Sequence, residues 1–172
     1  HPARRLNTKE LARGLEQALR PRFPQGEVTV TAEESEMYLG GKALGEGKVD
    51  GAAVRRAAAS WLSQQPGIVT AVARDDLYTA PDVAGFLSPL RRGYYPGRSG
   101  DVLFVPQPFH VLSDRATGTN HGVPYSYDRQ IPVVFVGRGV RPGTYMHEIS
   151  ATDVAPHARG ADGAGGARLV RG

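Results

Sequence analysis

The sequence predicts an α/β protein, because amphipathic helices alternate with short apolar strands along its first half. Apolar residues recur at helical spacing from Leu11 to Leu19 and again from Val54 to Leu62. Strand-like runs follow these helices at residues 28–31 and 68–73, and residues 37–39 are expected to extend the first pairing. The order helix, strand, helix, strand suits a small sheet with helices packed on one face.

Capping residues support both predicted helices. Asn7 or Thr8 can accept hydrogen bonds at the start of the first helix, and Asp50 can do so at the second. The pair Pro66-Gly67 is a typical stop signal for the second helix. Trp61 falls on the apolar face of that helix, so we interpret it as a core residue.

The composition is typical of a globular protein, but it leaves the cellular compartment undecided. The 172 residues include 40% hydrophobic residues, which excludes wholesale disorder, and no cysteine, which excludes a disulfide framework. No apolar run is long enough to predict a membrane span. The opening His1-Pro-Ala-Arg-Arg5 does not form a secretion signal.

The net charge of +4 raises the question of a nucleic-acid partner. Tyr94 and Tyr95 stand beside Arg91, Arg92 and Arg98, so this segment could stack on and pair with a nucleotide. The alternative is a solvated loop, and we favour it because the basic residues of the chain are dispersed. No nucleic-acid partner is expected.

The second half contains a candidate metal ligand next to an apolar run. His121 lies in a turn between Gly118 and Gly122. Residues 131–136 read Ile-Pro-Val-Val-Phe-Val, which predicts a buried strand, and Gly137 to Gly143 have turn chemistry. Open α/β sheets place ligands in loops at the ends of such strands.

These motifs resemble the C-terminal signature of the alkaline phosphatase superfamily, in its branch of phosphate-irrepressible alkaline phosphatases and type I phosphodiesterase/nucleotide pyrophosphatases. The resemblance covers roughly residues 91 to 156. The matching motifs, in chain order, are Arg98-Ser-Gly-Asp-Val-Leu-Phe-Val105, Gly118-Thr-Asn-His-Gly122, Tyr127-Asp128, Ile131-Pro132, Gly137-Arg-Gly-Val-Arg-Pro-Gly143 and Ile149-Ser-Ala-Thr-Asp-Val-Ala-Pro156.

The resemblance implies a zinc-dependent phosphate-ester hydrolase with an αβα sandwich. Members of this family use two zinc ions and a threonine or serine nucleophile, and they are usually periplasmic or secreted. Of the metal ligands, only the last histidine carries over, onto His121, and the chain has no Asp-His-Gly motif. Asp128 is our hypothesis for the carboxylate that orients the imidazole of His121, because the Pro-Tyr turn before it could fold it back.

We therefore expect the C-terminal part of a phosphomonoesterase or phosphodiesterase, inactive alone because the nucleophile and most zinc ligands are missing, with at most weak zinc binding. The alternative is a non-catalytic binding or scaffold module that keeps the fold. The predicted organisation is a small α+β subdomain at residues 1–90 and a segment of the phosphatase-like core at 91–156. The strands predicted at residues 102–105 and 131–136 would normally pack in a larger parallel sheet, and their separation from it would favour self-association.

Residues 157–172 are predicted to be an irregular tail, because they are rich in glycine and alanine without helical periodicity. Similar proteins continue here with a Thr-Leu-type helix. A single base inserted in a run of C would turn the codons for Thr-Leu-Ala-Ala-Leu-Met-Gly into His157-Ala-Arg-Gly-Ala-Asp-Gly163. Our hypothesis is that such a frameshift replaced the final helix.

Overall fold

The computed structural model describes residues 4–82, 85–137, 141–150 and 152. The contacts between Cα atoms divide the chain into two units, His1–Pro132 and Val133–Gly172. The predicted tail at residues 157–172 and its frameshift hypothesis lie outside the described residues.

The first unit contains the α-helices and β-strands of the described residues. In chain order these are β1 (Arg4–Leu6), α1 (Thr8–Leu19), β2 (Thr29–Glu33), β3 (Glu36–Gly40), α2 (Lys42–Gly45), α3 (Gly51–Leu62), β4 (Ile68–Ala73), α4 (Leu87–Gly93), β5 (Val102–Pro106), β6 (His110–Leu112) and α5 (Ser126–Arg129). The mixture of helices and strands confirms the predicted α/β class. No described helix has the length and apolar character needed to cross a membrane.

Both long helices begin at the residues that the sequence predicts. The Oδ1 atom of Asn7 accepts hydrogen bonds from the backbone N–H of Lys9 at 3.1 Å and of Glu10 at 3.2 Å. Asp50 caps α3 in the same way. These acceptors satisfy N–H groups that have no partner inside the helix.

The main sheet has four strands in the order β2, β3, β5, β4, and every neighbouring pair is antiparallel. The predicted parallel environment of residues 102–105 is therefore wrong. The strand lies between β3 and β4, both contributed by the chain's own N-terminal half. The sheet thus continues across the predicted boundary between residues 90 and 91. A separate two-stranded parallel sheet pairs β1 with β6.

Helices α1 and α3 cover one face of the main sheet, as the sequence predicts. Leu15, Leu62 and Phe104 of β5 are fully buried there in one cluster, and Trp61 is partly buried and packs against it. Alternate residues of a strand point to opposite faces. Leu103 accordingly belongs to a second cluster on the other face, where Leu87 of α4 covers it.

The predicted strand at residues 131–136 is wrong for this structure. Its residues have no strand assignment and are exposed, with Val134 at 78% and Val136 at 91%. A strand needs a neighbouring backbone to accept its hydrogen bonds. Within the described residues no strand pairs with this run, so its apolar side chains remain in solvent.

Candidate metal site at His121

The segment that carries His121 is an irregular loop between β6 and α5, held at three points. A side-chain nitrogen of Arg5 donates to the carbonyl oxygen of Gly118, which ties the loop to β1. The Nδ2 atom of Asn120 donates to the carbonyl oxygen of Leu112 at 2.6 Å, which ties it to the end of β6. The roles of Arg5 and Asn120 could not be predicted from the sequence, because their acceptors are backbone atoms of distant or irregular segments.

Asp128 provides the third point. Its Oδ2 atom accepts hydrogen bonds from the backbone N–H groups of Gly122 at 2.7 Å and Val123 at 2.8 Å. The carboxylate thus folds back across the Pro-Tyr turn, as the sequence suggests. It binds the backbone that follows His121 rather than the imidazole. Asp128 is therefore a positioning residue for the loop in this structure.

Glycine is required at position 122. Its φ of +97° lies in the left-handed region, which side chains with a Cβ rarely adopt. A Cβ there would also lie 3.1 Å from Oε2 of Glu34, in the turn between β2 and β3. Gly122 consequently lets the chain reverse directly after His121.

The imidazole of His121 is exposed, and no hydrogen bond reaches it from the described part of the chain. It lines a cleft of about 270 Å³ together with the following residues: Phe109, His110, Val111, Leu112, Asn120, Val123, Tyr127 and Asp128. His110 is buried in β6, and its Nδ1 atom lies 3.2 Å from the carbonyl oxygen of Pro108. His110 is thus packed at the end of a strand.

Four aromatic rings form a row, and two of them, Phe109 and Tyr127, line the cleft. The rings of Phe109 and Tyr127 are stacked at 5.0 Å, those of Tyr127 and Tyr125 at 5.4 Å, and Phe86 meets Tyr125 edge-on. Burial, with a smaller contribution from Tyr127, raises the pKa of Tyr125. The alternation Tyr125-Ser-Tyr127 is the sequence signal for this row, although Tyr127 was noted only as part of the motif Tyr127-Asp128.

The residues present do not fit a complete zinc site. Zinc takes three or four protein donors, usually His, Cys, Asp or Glu. Among the described residues there is no group of three such side chains that could hold a metal ion. His121 can supply one donor, and no catalytic step follows from the described residues alone.

The basic residues beside Tyr94 and Tyr95 contact other groups of the fold. Arg91 donates to the backbone carbonyl groups of Leu77 and Ala80. Arg98 lies over the ring of Tyr95 at 4.4 Å. Arg91 and Arg92 lie in α4 rather than in the predicted loop, and Arg91 is already used in contacts within the fold.

Comparison with known proteins places these elements in a family. The chain is 24% identical over 148 residues to the alkaline phosphatase PafA of Elizabethkingia meningoseptica, and 30% identical over 116 residues to the alkaline phosphatase PhoV of Synechococcus elongatus. These alignments cover 86% and 66% of this chain. The chain belongs to the alkaline phosphatase superfamily.

The fold agrees with this membership. The crystal structure of wild-type alkaline phosphatase PafA superposes with a TM-score of 0.77 at 23% identity, over 91% of this chain and 30% of that one. The chain spans only 27% of the sequence of PafA and 20% of that of PhoV. No family model matches the chain. The predicted resemblance to the superfamily is thus confirmed, while the roles of single residues stay predictions.

Proposed function

We propose that this chain is the C-terminal part of a zinc-dependent phosphate-ester hydrolase, a phosphomonoesterase or phosphodiesterase, in which His121 is one zinc ligand. Membership of the alkaline phosphatase superfamily supports the reaction class. The observation that carries the assignment is the loop of His121. Contacts from Asn120 and Asp128 hold the backbone on both sides of this residue, while its imidazole is left unbonded and exposed.

A fixed backbone with an unbonded imidazole suits a metal ligand. Zinc binds neutral imidazole through one nitrogen, and a preformed loop lowers the entropy cost of bringing that nitrogen to the ion. Asp128 contributes through the loop rather than through the ring. When bound, zinc would stabilise negative charge on the oxygens of a phosphate ester.

The remaining donors and the nucleophile would come from residues outside this chain. We therefore propose that the 172-residue chain alone is inactive and binds zinc weakly. The alternative function is a non-catalytic scaffold. The first unit has its own buried core of helix and sheet residues, which a free-standing module requires.

A test begins with the genomic sequence that precedes this chain. If the reading frame encodes a nucleophile and an Asp-His-Gly motif, the full-length protein should hydrolyse nitrophenyl phosphate or its diester with a requirement for zinc. His121→Ala should then lower both the zinc affinity and the activity by at least about 10-fold. His147→Ala is the matched control, because His147 is also exposed.

Two results would contradict the proposal. One is full zinc affinity and activity in the His121→Ala form of the long protein. The other is hydrolysis by the 172-residue chain alone that depends on His121. An upstream sequence without a nucleophile or metal ligands would favour the scaffold.

A further inference from the structure

Strand β4 forms one edge of the main sheet and carries no charge. It reads Ile68-Val-Thr-Ala-Val-Ala73, without proline or glycine, and pairs only with β5. Short segments of this composition pair readily with further strands, because an edge presents free backbone N–H and C=O groups. A register shift between Ile68 and Thr70 disturbs the first part of β4, but residues 70–73 pair regularly with β5. This regular part of the edge still needs protection.

The side chain of Ser63 provides that protection. Ser63 directly follows α3, and its Oγ atom accepts a hydrogen bond from the backbone N–H of Ala71 at 3.0 Å, so this N–H faces away from β5. The same hydroxyl donates to the carbonyl oxygen of Ala71 at 3.5 Å, which is a long hydrogen bond. A residue of an added antiparallel strand would exchange both of these bonds with Ala71. Ser63 therefore takes the place of such a residue.

The opposite edge of the sheet has a similar arrangement. Strand β2 is the other edge strand, and the backbone N–H of Val30 donates to Oε2 of Glu16 in α1 at 3.1 Å. The second carboxylate oxygen of Glu16 lies 3.7 Å from the guanidinium group of Arg20. Core packing does not explain these two edge contacts, because Ser63 is exposed and Glu16 is partly exposed.

We propose that the edge of β4 is an interaction surface for β4 of a second copy of this chain, and that Ser63 keeps this surface closed. Two copies of β4 related by a two-fold axis would run antiparallel, and their sheets would then continue as one. The edge at β4 is favoured over the edge at β2, because β2 contains the charged Glu33 whereas β4 is uncharged. Neither a metal ion nor the phosphate-ester reaction takes part in this contact.

The test compares the 172-residue chain with its Ser63→Ala variant. Both carry Val134→Lys and Val136→Lys, which suppress contact through the exposed run at residues 131–136. Sedimentation measures association, and hydrogen exchange at the Ala71 amide is followed at low and high protein concentration. At low concentration Ser63→Ala should speed this exchange about fivefold to tenfold, because one hydrogen bond is lost. At high concentration the variant should associate, and exchange at Ala71 should slow again because a second strand protects the amide.

Ser99→Ala is the matched control. Ser99 also accepts one backbone hydrogen bond, from Tyr95 at 3.1 Å, but it lies in the loop between α4 and β5 and not at a strand edge. Both measurements should therefore stay unchanged. A second pair of variants differs only by the hydroxyl group: Ser63→Thr should behave as the parent chain, and Ser63→Val should behave as Ser63→Ala.

Val69→Lys identifies the surface that associates. Val69 is 39% exposed on β4, so a lysine there adds charge to the edge and should abolish the association of Ser63→Ala. Unchanged exchange at Ala71 in Ser63→Ala and Ser63→Val overturns the proposal, because Ser63 then does not hold this amide. Faster exchange without association rejects the edge as an interaction surface. Association that survives Val69→Lys rejects it as well, because the contact then lies elsewhere.

Discussion

Arg55 of α3 and Asp75, just after β4, form a paired contact in which Nε and Nη2 of the arginine donate to the two carboxylate oxygens at 2.5 and 2.7 Å. Their side chains are only 15% and 24% exposed. The contact joins the helix layer to the end of a sheet strand. The hydrogen bonds from Arg55 are the main cause of the lowered pKa of Asp75.

The Arg55–Asp75 contact predicts a specific dependence of stability on pH. A carboxyl group with a lowered pKa in the folded state stabilises the protein above its unfolded pKa, near 3.8, and loses this effect as the pH falls through the folded value. Asp75→Asn should lower the free energy of unfolding by about 1–3 kcal/mol at pH 7. The difference from wild type should shrink below pH 4 in urea titrations.

Asp76→Asn is the matched control for this prediction. Asp76 forms a similar pair with Arg56, but these side chains are 35% and 56% exposed. Exposed pairs contribute little because water screens them. Equal losses at pH 7 in both variants would show that burial does not decide the strength of these contacts.

Gly41 predicts a large effect of a small substitution. Its φ of +134° and ψ of 143° lie in a region that is nearly restricted to glycine. A Cβ there would lie 2.7 Å from the carbonyl oxygen of Glu27, which is backbone and cannot rotate away. We expect Gly41→Ala to lower the free energy of unfolding by about 2–4 kcal/mol, from strain plus overpacking.

Gly47→Ala separates the cost of backbone strain from the cost of overpacking. Gly47 also has a positive φ, of +69°, but a Cβ there would meet nothing within 4 Å. Its cost should be about 1 kcal/mol. Chemical denaturation of both variants measures the difference, and a cost for Gly41→Ala no greater than that for Gly47→Ala would refute the steric argument.

Asp128 predicts local rather than global destabilisation. Asp128→Ala removes the acceptor for two backbone N–H groups, so hydrogen exchange at Gly122 and Val123 should accelerate at least tenfold, while the midpoint of unfolding changes little. Asp114→Ala is a suitable control, because Asp114 pairs with Lys9 elsewhere on the surface. Unchanged exchange at both amides would mean that Asp128 does not hold the loop.

The exposed run at residues 131–136 predicts self-association. Large exposed apolar side chains favour contact between chains. We expect the wild-type chain to show concentration-dependent sedimentation, and Val134→Lys with Val136→Lys to reduce it. Val69→Lys provides a comparison on β4, an edge strand of the main sheet. If only Val69→Lys reduces association, the sheet edge and not the run is the contact.

The sequence was sufficient for elements determined by neighbouring residues. The helix spacing and the caps at Asn7 and Asp50 correctly predicted α1 and α3. The pairing of Val102–Pro106 was not predictable in this way, because apolar character alone does not distinguish parallel from antiparallel neighbours. The failure at residues 131–136 has a related cause, since an apolar run forms a strand only when a partner strand is available.

In the candidate site, too, local sequence predicts some features, whereas others depend on residues that are distant in the chain. Glycines 118 and 122 and the return of Asp128 across a Pro-Tyr turn were suggested by local sequence. The bond from Arg5 joins residues 113 positions apart, so no local pattern could predict it. The orientation of the Asp128 carboxylate toward backbone N–H groups likewise depends on the exact path of the loop.

The central position of β5 has a consequence for how the polypeptide acquires its structure. The hairpin of β2 and β3 can form early from residues close in sequence, but β3 and β4 have no direct pairing and wait for β5, about thirty residues beyond β4. Bringing distant segments together is the slow part of folding. A nascent chain that has emerged only as far as residue 100 would thus hold two unjoined halves of the sheet, with Leu15 and Leu62 lacking Phe104. Completion of the core therefore has to wait until β5 is available to join the two halves.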